Sequence, residues 1–475
     1  MNSTEPNLDP VPPRISAVSE VWSFLKRCAT MFKMAGVALL ILLLLAPLAM
    51  IRSVLQERLG RRNEAVANIT SGWGGDQTII GPVLIVPYRY AVRTWKEQAA
   101  AGGKIERVEV VGSAVANAYF LPAAMKIDGA LDPAELHRGI YRAVVYSAKL
   151  DLQGEFARPD FSNQRIEDKD ILWEETVVAF TIPDLRGVKE MLQLEWGARS
   201  FPLLPGSKLR GFSSGVFAQV TGLRESSGTI PWKLGLTLRG SGGLAFAPVG
   251  IQCSAKLASP WPDPSFRGAF LPTERTITHD GFTANWQVSY YGRNYAQQWT
   301  DQDSSGALTP ESAQSSAFGV NLVSGIDAYR NVERAIKYGV LFLVLVFTSF
   351  FLFEVLSALR IHPFQYVIVG AALCLFYLGL LSLSEFIAFG RAYLVAAVVT
   401  MSLICFYSAK VLKSGRRTFI IAGLLAGIYG FLYVSLQLQD YSLLFGTAGL
   451  FMVLGIVIFI TRNINWYARD SEDEN

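Results

Sequence analysis

Six runs of apolar residues constrain this chain more than any other feature. One lies near the start, Met34 to Ile51, and five follow one another from about Tyr338 to Ile460, with a polar stretch of about 285 residues between. The first run carries no charge over roughly 18 residues, close to the minimum that spans a hydrocarbon core. A removable signal peptide would be shorter and nearer the start, and no small-residue cleavage site follows cleanly, so an uncleaved anchor is expected. The spans near the other end read as 338–359, 366–384, 392–409, 418–437 and 441–461. Charge agrees with this patterning: only 17% of the 475 residues are charged, against about 25% for a soluble domain.

Six spans place both termini on one side, and positive charge in short loops says which. A cytoplasmic N-terminus puts Arg14, Lys26, Arg27, Lys33, Arg360, Lys410, Lys413, Arg416, Arg417, Arg462 and Arg469 inside, leaving only Arg391 in the opposite short loops. Arg52, Arg58, Arg61 and Arg62 flank the large polar stretch and argue the other way, but long translocated domains count little in this rule. The large domain is thus expected outside, which in a Gram-negative cell is the periplasm. Ahead of the anchor, Val21, Trp22, Phe24, Leu25 and Phe32 alternate with Lys26, Arg27 and Lys33, as in a helix lying on an anionic leaflet. The tail Asp470 to Asn475 is acidic.

The expected organisation is therefore α+β: a cytoplasmic tail with an interfacial helix (1–33), an anchor (34–52), a β-rich, sandwich-like periplasmic domain (53–337), a five-helix membrane bundle (338–461) and an acidic cytoplasmic tail (462–475). Of the four cysteines only Cys253 falls in the large domain, which must stand on its core without an internal disulfide. After the anchor, Leu55, Leu59, Val66 and Ile69 keep helical spacing and predict that the helix continues to Ser71-Gly-Trp-Gly-Gly75. Thr78 to Tyr88 then reads as a strand, at an edge or bent because of Pro82 and Pro87. Further strands are predicted at Val108 to Phe120, Tyr141 to Phe156, Thr176 to Ile182, Val216 to Gly222, Trp232 to Arg239 and Phe282 to Tyr291, with a hairpin turn at Asp280-Gly281. Asp301 to Ser316 reads as a loop, and Val323, Ile326, Val332 and Ile336 as a helix leading into the second span.

Chemistry-bearing motifs are sparse. Gly211-Phe-Ser-Ser-Gly215 matches G-x-S-x-G, but that chemistry needs a helix after the serine and a histidine base. Here a strand-like Val216 to Val220 follows, and the domain holds only His137 and His279. Three histidines in the chain, no HExxH and no paired cysteines predict no zinc site; no Walker loop is present, and Gly240-Ser-Gly-Gly-Leu-Ala245 reads as a turn. No cofactor and no nucleic-acid partner is expected; the lipid bilayer is, with envelope proteins as candidate partners. Inside the membrane, Glu354 is costly unless it faces protein or water; it can snorkel, or pair with Arg360 or His362. Glu385 and Arg391 read as a superficial ion pair, and Gly423-x-x-x-Gly427 as a small-residue seam for helix packing.

Two stretches carry a resemblance. The first is Arg62-Asn-Glu-Ala-Val-Ala-Asn-Ile69, then Trp73-Gly74, Gln77 and Gly81-Pro82-Val-Leu-Ile-Val-Pro87-Tyr88. The second runs Tyr329, Arg334-Ala-Ile-Lys-Tyr338, Phe353-Glu354, His362-Pro363-Phe-Gln-Tyr366, Val369-Gly370, Leu375-Phe-Tyr377 and Leu381-Ser-Leu-Ser-Glu385. Together they resemble the CreD family of inner-membrane, cell-envelope-integrity proteins, which shares this order of parts. The resemblance implies a role in envelope integrity, with expression tied to a two-component system that senses carbon source or β-lactam stress. It implies no catalytic residue and no ligand.

The leading expectation is a non-catalytic envelope protein acting through its large domain. A transporter or lipid-handling protein using the bundle and Glu354 is the alternative, and a wall-metabolising enzyme comes third. Trp73, with the Gly81-Pro82 turn, is expected to set the geometry between the outward helix and the first strand, the indole suiting a membrane–water boundary.

Overall fold

The computed structural model describes residues 29–99, 105–164, 166–226, 228–322, 328–356, 362–412, 414–438 and 441–462. Val21 to Arg27 of the expected interfacial helix, the acidic tail, and Val323, Ile326, Arg360 and Lys413 lie outside these residues. Helices run over Ala29–Trp73 (α1), Pro310–Ser316 (α2), Ala328–Lys337 (α3), Gly339–Leu356 (α4), Pro363–Ser384 (α5), Phe389–Leu412 (α6), Gly415–Gln437 (α7) and Ser442–Thr461 (α8). Strands run over Gln77–Ala99 (β1), Ile105–Phe120 (β2), Ala124–Arg138 (β3), Tyr141–Phe156 (β4), Val177–Thr181 (β5), Gln193–Trp196 (β6), Arg199–Pro202 (β7), Leu204–Pro205 (β8) and Val216–Gln219 (β9). They continue with Ile230–Ser241 (β10), Gly243–Phe246 (β11), Gln252–Ser259 (β12), Pro264–Gly268 (β13), Glu274–Thr278 (β14), Gly281–Ser289 (β15), Gln298–Thr300 (β16) and Phe318–Leu322 (β17). The chain divides into two compact units, Met1–Arg61 with Asp327–Asn475, and Arg62–Ile326.

In the helical unit, runs of Leu, Ile, Val, Phe and Ala form helices because only a helix satisfies the backbone internally where water is excluded. Among the described residues α1, α5, α6 and α7 are long and apolar enough to cross a membrane, and α3 with α4, bent by 47°, raises the count to five if taken as one span. The apolar part of α8, Leu444–Phe459, is shorter. Leu44, Leu48, Ile51 and Leu55, three and four residues apart, fall on one face of α1 and are buried in the bundle core. Close approach uses glycine: a Cβ on Gly370 would collide with Leu44, and one on Gly449 with the Phe431 ring. The Gly423–Gly427 spacing predicts such an approach, but both positions face open space, with nothing within 4 Å of an added Cβ. The inward face of α7 is Ile421, Leu425, Ile428 and Leu432, and the two glycines fall on the other side of that helical period.

In the β-rich unit, apolar residues alternate with polar ones, as in β10, where Ile230, Trp232, Leu234, Leu236 and Leu238 are buried and their neighbours face outward, the period of a half-buried strand. One sheet has the order β13-β17-β11-β1-β5-β9-β8, with β2 on β1 and β16 on β2; the other runs β14-β15-β12-β3-β4-β10-β6-β7. Both contribute to one core. Edge-on ring contacts join them, Phe180 to Trp232 at 5.9 Å and Phe266 to Phe282 at 5.8 Å, so the sheets face each other as in a sandwich.

The first strand, β1, expected at an edge or bent, is central and not an edge, and it is irregular where Pro82 falls. It pairs with β11 from Gln77, with β5 around Ile80 to Ile85, and with β2 from Leu84 onward. Its two prolines are accommodated locally. The register shifts between Ile80 and Val83, so Pro82 sits in an irregularity where no ladder donor is required. The Pro87 carbonyl accepts from the Leu172 N–H at 2.9 Å. Because a strand residue's N–H and C=O point the same way, the missing Pro87 donor falls beyond the last β5 pair, Ile85–Val177. Within the stretch read as a loop, α2 forms because Thr309 caps it, its hydroxyl accepting from the Ser312 N–H with Pro310 in the first turn.

Candidate functional site

The residues singled out by sequence converge where α1 hands over to β1. The Gly74 N–H donates to the Thr70 carbonyl at 2.9 Å and closes the last turn of α1. Gly74 has φ +136°, and an added Cβ would stand 2.7 Å from the Arg239 carbonyl oxygen; only glycine meets both conditions. Trp73 is held by the β-rich unit itself. Its indole N–H donates to the Tyr146 carbonyl at 3.1 Å, and the Arg239 guanidinium lies 4.1 Å over its ring, a cation–π contact. The Tyr146 hydroxyl in turn donates to the Gly243 carbonyl at 2.7 Å.

Three residues on, Gln77 is fully buried, so its amide must find partners inside the protein. It donates to the Asp184 carbonyl at 3.1 Å and the Arg239 carbonyl at 3.3 Å, and accepts from the Asp184 N–H at 3.4 Å. The Asp184 carboxylate accepts from the Gly75 N–H at 3.0 Å and from Arg186 Nε and Nη2 at 2.9 and 2.8 Å. Arg186 Nη1 donates to the Ser71 carbonyl at 2.7 Å, placing a cation at the negative end of α1. Ser241 closes the ring, its hydroxyl donating to the Gly74 carbonyl at 2.8 Å and its N–H to Gly75 at 3.1 Å. Asp76 accepts two 2.6 Å bonds from Arg267. The Arg186 side chain, helped by the Gly75 and Arg186 N–H groups and opposed by partial burial, holds the Asp184 carboxyl down to about 2. It is ionised at any physiological pH, so it is a fixed anion and not a proton donor.

Further along, Gly81 has φ +123° and a cis bond to Pro82, and a Cβ on it would stand 2.8 Å from the Ala179 carbonyl oxygen. Trp73 and Gly74 therefore fasten the end of α1 to β4, β10 and the Asp184 turn, while Gly81 and Pro82 lie further along β1, with Gly81 against β5. Gln77 stood within the resemblance. Asp184, Arg186, Arg239, Ser241 and Tyr146 did not, and as ordinary polar residues distant in sequence from their partners they carry no local signal.

The remaining candidates lie in the helical unit and are not part of that junction. Glu354 is 3% exposed and accepts from the Tyr366 hydroxyl at 2.8 Å; this buried seat on α4 replaces the snorkelling reading, and the alternative pairing with Arg360 lies outside the described residues. Tyr366 also lines, with Phe350, Gln365, Tyr407 and Ser408, a cavity of about 20 Å³, room for about one water. The His362 ring caps α5, its Nδ1 accepting from the Phe364 N–H at 3.2 Å, with Pro363 at the first helical position. Glu385 meets Arg58 at 3.7 Å and the Tyr329 hydroxyl at 3.2 Å, in place of the expected Arg391; its side chain is only 8% exposed. The pairing is set by the packing of α1 and α3 on the end of α5.

The serine motif resolves as a turn. Gly211 has φ +86°, Ser214 donates to the Ile182 carbonyl at 2.7 Å, and β9 follows with no helix. His137 and His279 belong to the other sheet, the latter exposed beside Asp280 in the β14–β15 turn. Gly240 to Ala245 forms the tight passage from β10 to β11, with Gly242 at φ +75°.

A profile of the family described as "Inner membrane protein CreD" matches residues 29–467. The protein of that description from Escherichia coli K12 is 30% identical over 437 residues, which cover 92% of this chain and 94% of the relative.

Proposed function

Because this chain belongs to the CreD family of inner membrane proteins, we propose that it supports cell-envelope integrity and the response to envelope stress without catalysis. The β-rich unit acts in the periplasm on envelope partners, and six spans hold it with both termini cytoplasmic. The observation that carries this reading is the junction at Trp73 to Gln77. Its Asp184, Gln77, Ser241 and Arg186 groups bind backbone and one another across the end of α1 and two sheets. Such an arrangement fixes the end of α1 in the β-rich unit and leaves Asp184 no exchangeable proton, which suits a tether and not a reaction centre. Deleting the protein should raise sensitivity to detergents and β-lactams, and photo-crosslinkers placed on the β-rich unit should trap envelope proteins.

The second reading, a transporter or lipid-handling protein, is favoured by the Glu354–Tyr366 pair beside its small cavity. Glu354→Gln keeps an oxygen acceptor for Tyr366 and should leave the stress phenotype near wild type. A Gln variant that reproduces the deletion at normal protein level would transfer the function to the bundle.

A further inference from the structure

We propose that the helical unit holds one anionic glycerophospholipid at a defined place, its acyl chain in a groove between α1 and α5 and its phosphate at Arg58. This rests on the reading of α1 and α5 as membrane spans, for which both are long and apolar enough. The two helices run parallel, since Leu44 meets Gly370 near one end and Arg58 meets Glu385 near the other. Between those contacts lies a groove of about 470 Å³. Pro47, Met50 and Val54 line one wall, and Ala371, Cys374 and Leu378 the other. The hollow follows from the small side chains of Ala371 and Cys374 opposite α1, and from Pro47, which lies inside that helix and interrupts its backbone ladder.

The lining side chains are apolar, so water gains no hydrogen bond there; hydrocarbon is the occupant that a membrane supplies. From Leu44 to Val54 the wall rises roughly 15 Å, half of an about 30 Å hydrocarbon core. The groove is thus one leaflet deep, the reach of a single acyl chain. Arg58 stands one turn past Val54 on the same side of α1, about 6 Å further along the axis, where the headgroup of that lipid lies. Its side chain is 39% exposed, and a guanidinium with five N–H donors serves a phosphate and Glu385 together. Arg52 and Arg61 add charge on the neighbouring turns, against Glu57, which pairs with Arg61 at 2.6 Å, and Glu385, so that three cations face two anions. That excess selects an anionic headgroup over a zwitterionic one.

The full chain in detergent is titrated with phosphatidylglycerol, and separately with phosphatidylcholine of the same acyl chains, and bound lipid is counted by native mass spectrometry. One phosphatidylglycerol should stay bound where phosphatidylcholine is lost. Ala371→Trp, which fills the groove, should lower its retention several-fold, and Arg58→Gln should reduce it to the phosphatidylcholine level. Val399→Trp, at a 60% exposed position on α6, should retain it. Phosphatidylglycerol with a diazirine in its acyl chain should label the wild-type chain chiefly within 44–54 and 371–378, a readout that needs no variant to fold. Labelling spread evenly over the outward faces, or equal retention of both lipids, overturns the proposal. So does an Ala371→Trp chain that turns from dimer to monomer with lipid retention unchanged, because a second copy would then fill the groove. Carbonate extraction tests insertion separately: release of the chain would sink the reading of α1 and α5 as spans before any lipid is measured.

Discussion

Asp184 joins the carbonyl end of α1, through Arg186 and Ser71, to the first residues of β1, through Gly75 and Gln77. A carboxyl held at about 2 in the folded chain against 3.8 unperturbed contributes about 2 kcal/mol of stability, since its side chain is only 14% exposed. Its folded value is the lower of the two, so the contribution is fully present above pH 3.8 and is lost as pH falls toward about 2. Asp184→Asn should therefore unfold the β-rich unit about 2 kcal/mol more easily at neutral pH, measured by pulse proteolysis of the full chain. The gap between variant and wild type should close between pH 4 and pH 2; a gap that persists there would assign the loss to packing. Nothing in the sequence around Asp184 marks it, because its partners Gly75 and Gln77 lie 109 and 107 residues away, and periodicity is a local signal.

Elements were legible where their own alternation or turn chemistry decides them. The strand expected at Tyr141 to Phe156 is β4, with those bounds, and Asp280-Gly281 does join two paired strands, β14 and β15. By contrast β3, with Gly129 and Pro133, and β12, with small residues in Gln-Cys-Ser-Ala-Lys-Leu-Ala-Ser, were not expected as strands. They exist because they pair with each other in parallel and with β4 and β15 on either side, so neighbours override weak propensity. In β1 the prolines suggested an edge or a bend, and it is the irregularity at Gly81 and Pro82, not an edge position, that accommodates them. Gly81→Ala would force a side chain into φ +123° and toward the Ala179 carbonyl. It should cost about 2–3 kcal/mol, seen as a lower urea midpoint. Gly112→Ala in β2, where the nearest atom is 3.9 Å from an added Cβ, should be near neutral and serves as its control.

At the scale of the whole molecule, charge in the short loops orients the proposed six spans. Met191 is 91% exposed in the β-rich unit, and Arg416 stands at the start of α7. In intact cells, with only the outer membrane permeabilised, Met191→Cys should react with a membrane-impermeant maleimide and Arg416→Cys should not; labelling of both, or of Arg416→Cys alone, would reject this orientation. The apolar runs by themselves determined where the long helices form, because a run without charge has no stable place except a lipid or protein interior. The helical period and the glycines that follow it also placed the stop within Ser71 to Gly75, where α1 ends at Trp73. Tertiary structure alone decided that β1 is central, that Glu385 meets Arg58, that Gly423 and Gly427 face outward, and that Asp184, Arg239 and Tyr146 clasp Trp73 and Gln77. Each of these depends on which residues become neighbours across long stretches of chain, 73 positions even for Trp73 and Tyr146, or on which side of a helix another helix comes to rest, and hydrophobic periodicity records only how a segment faces, not what it faces.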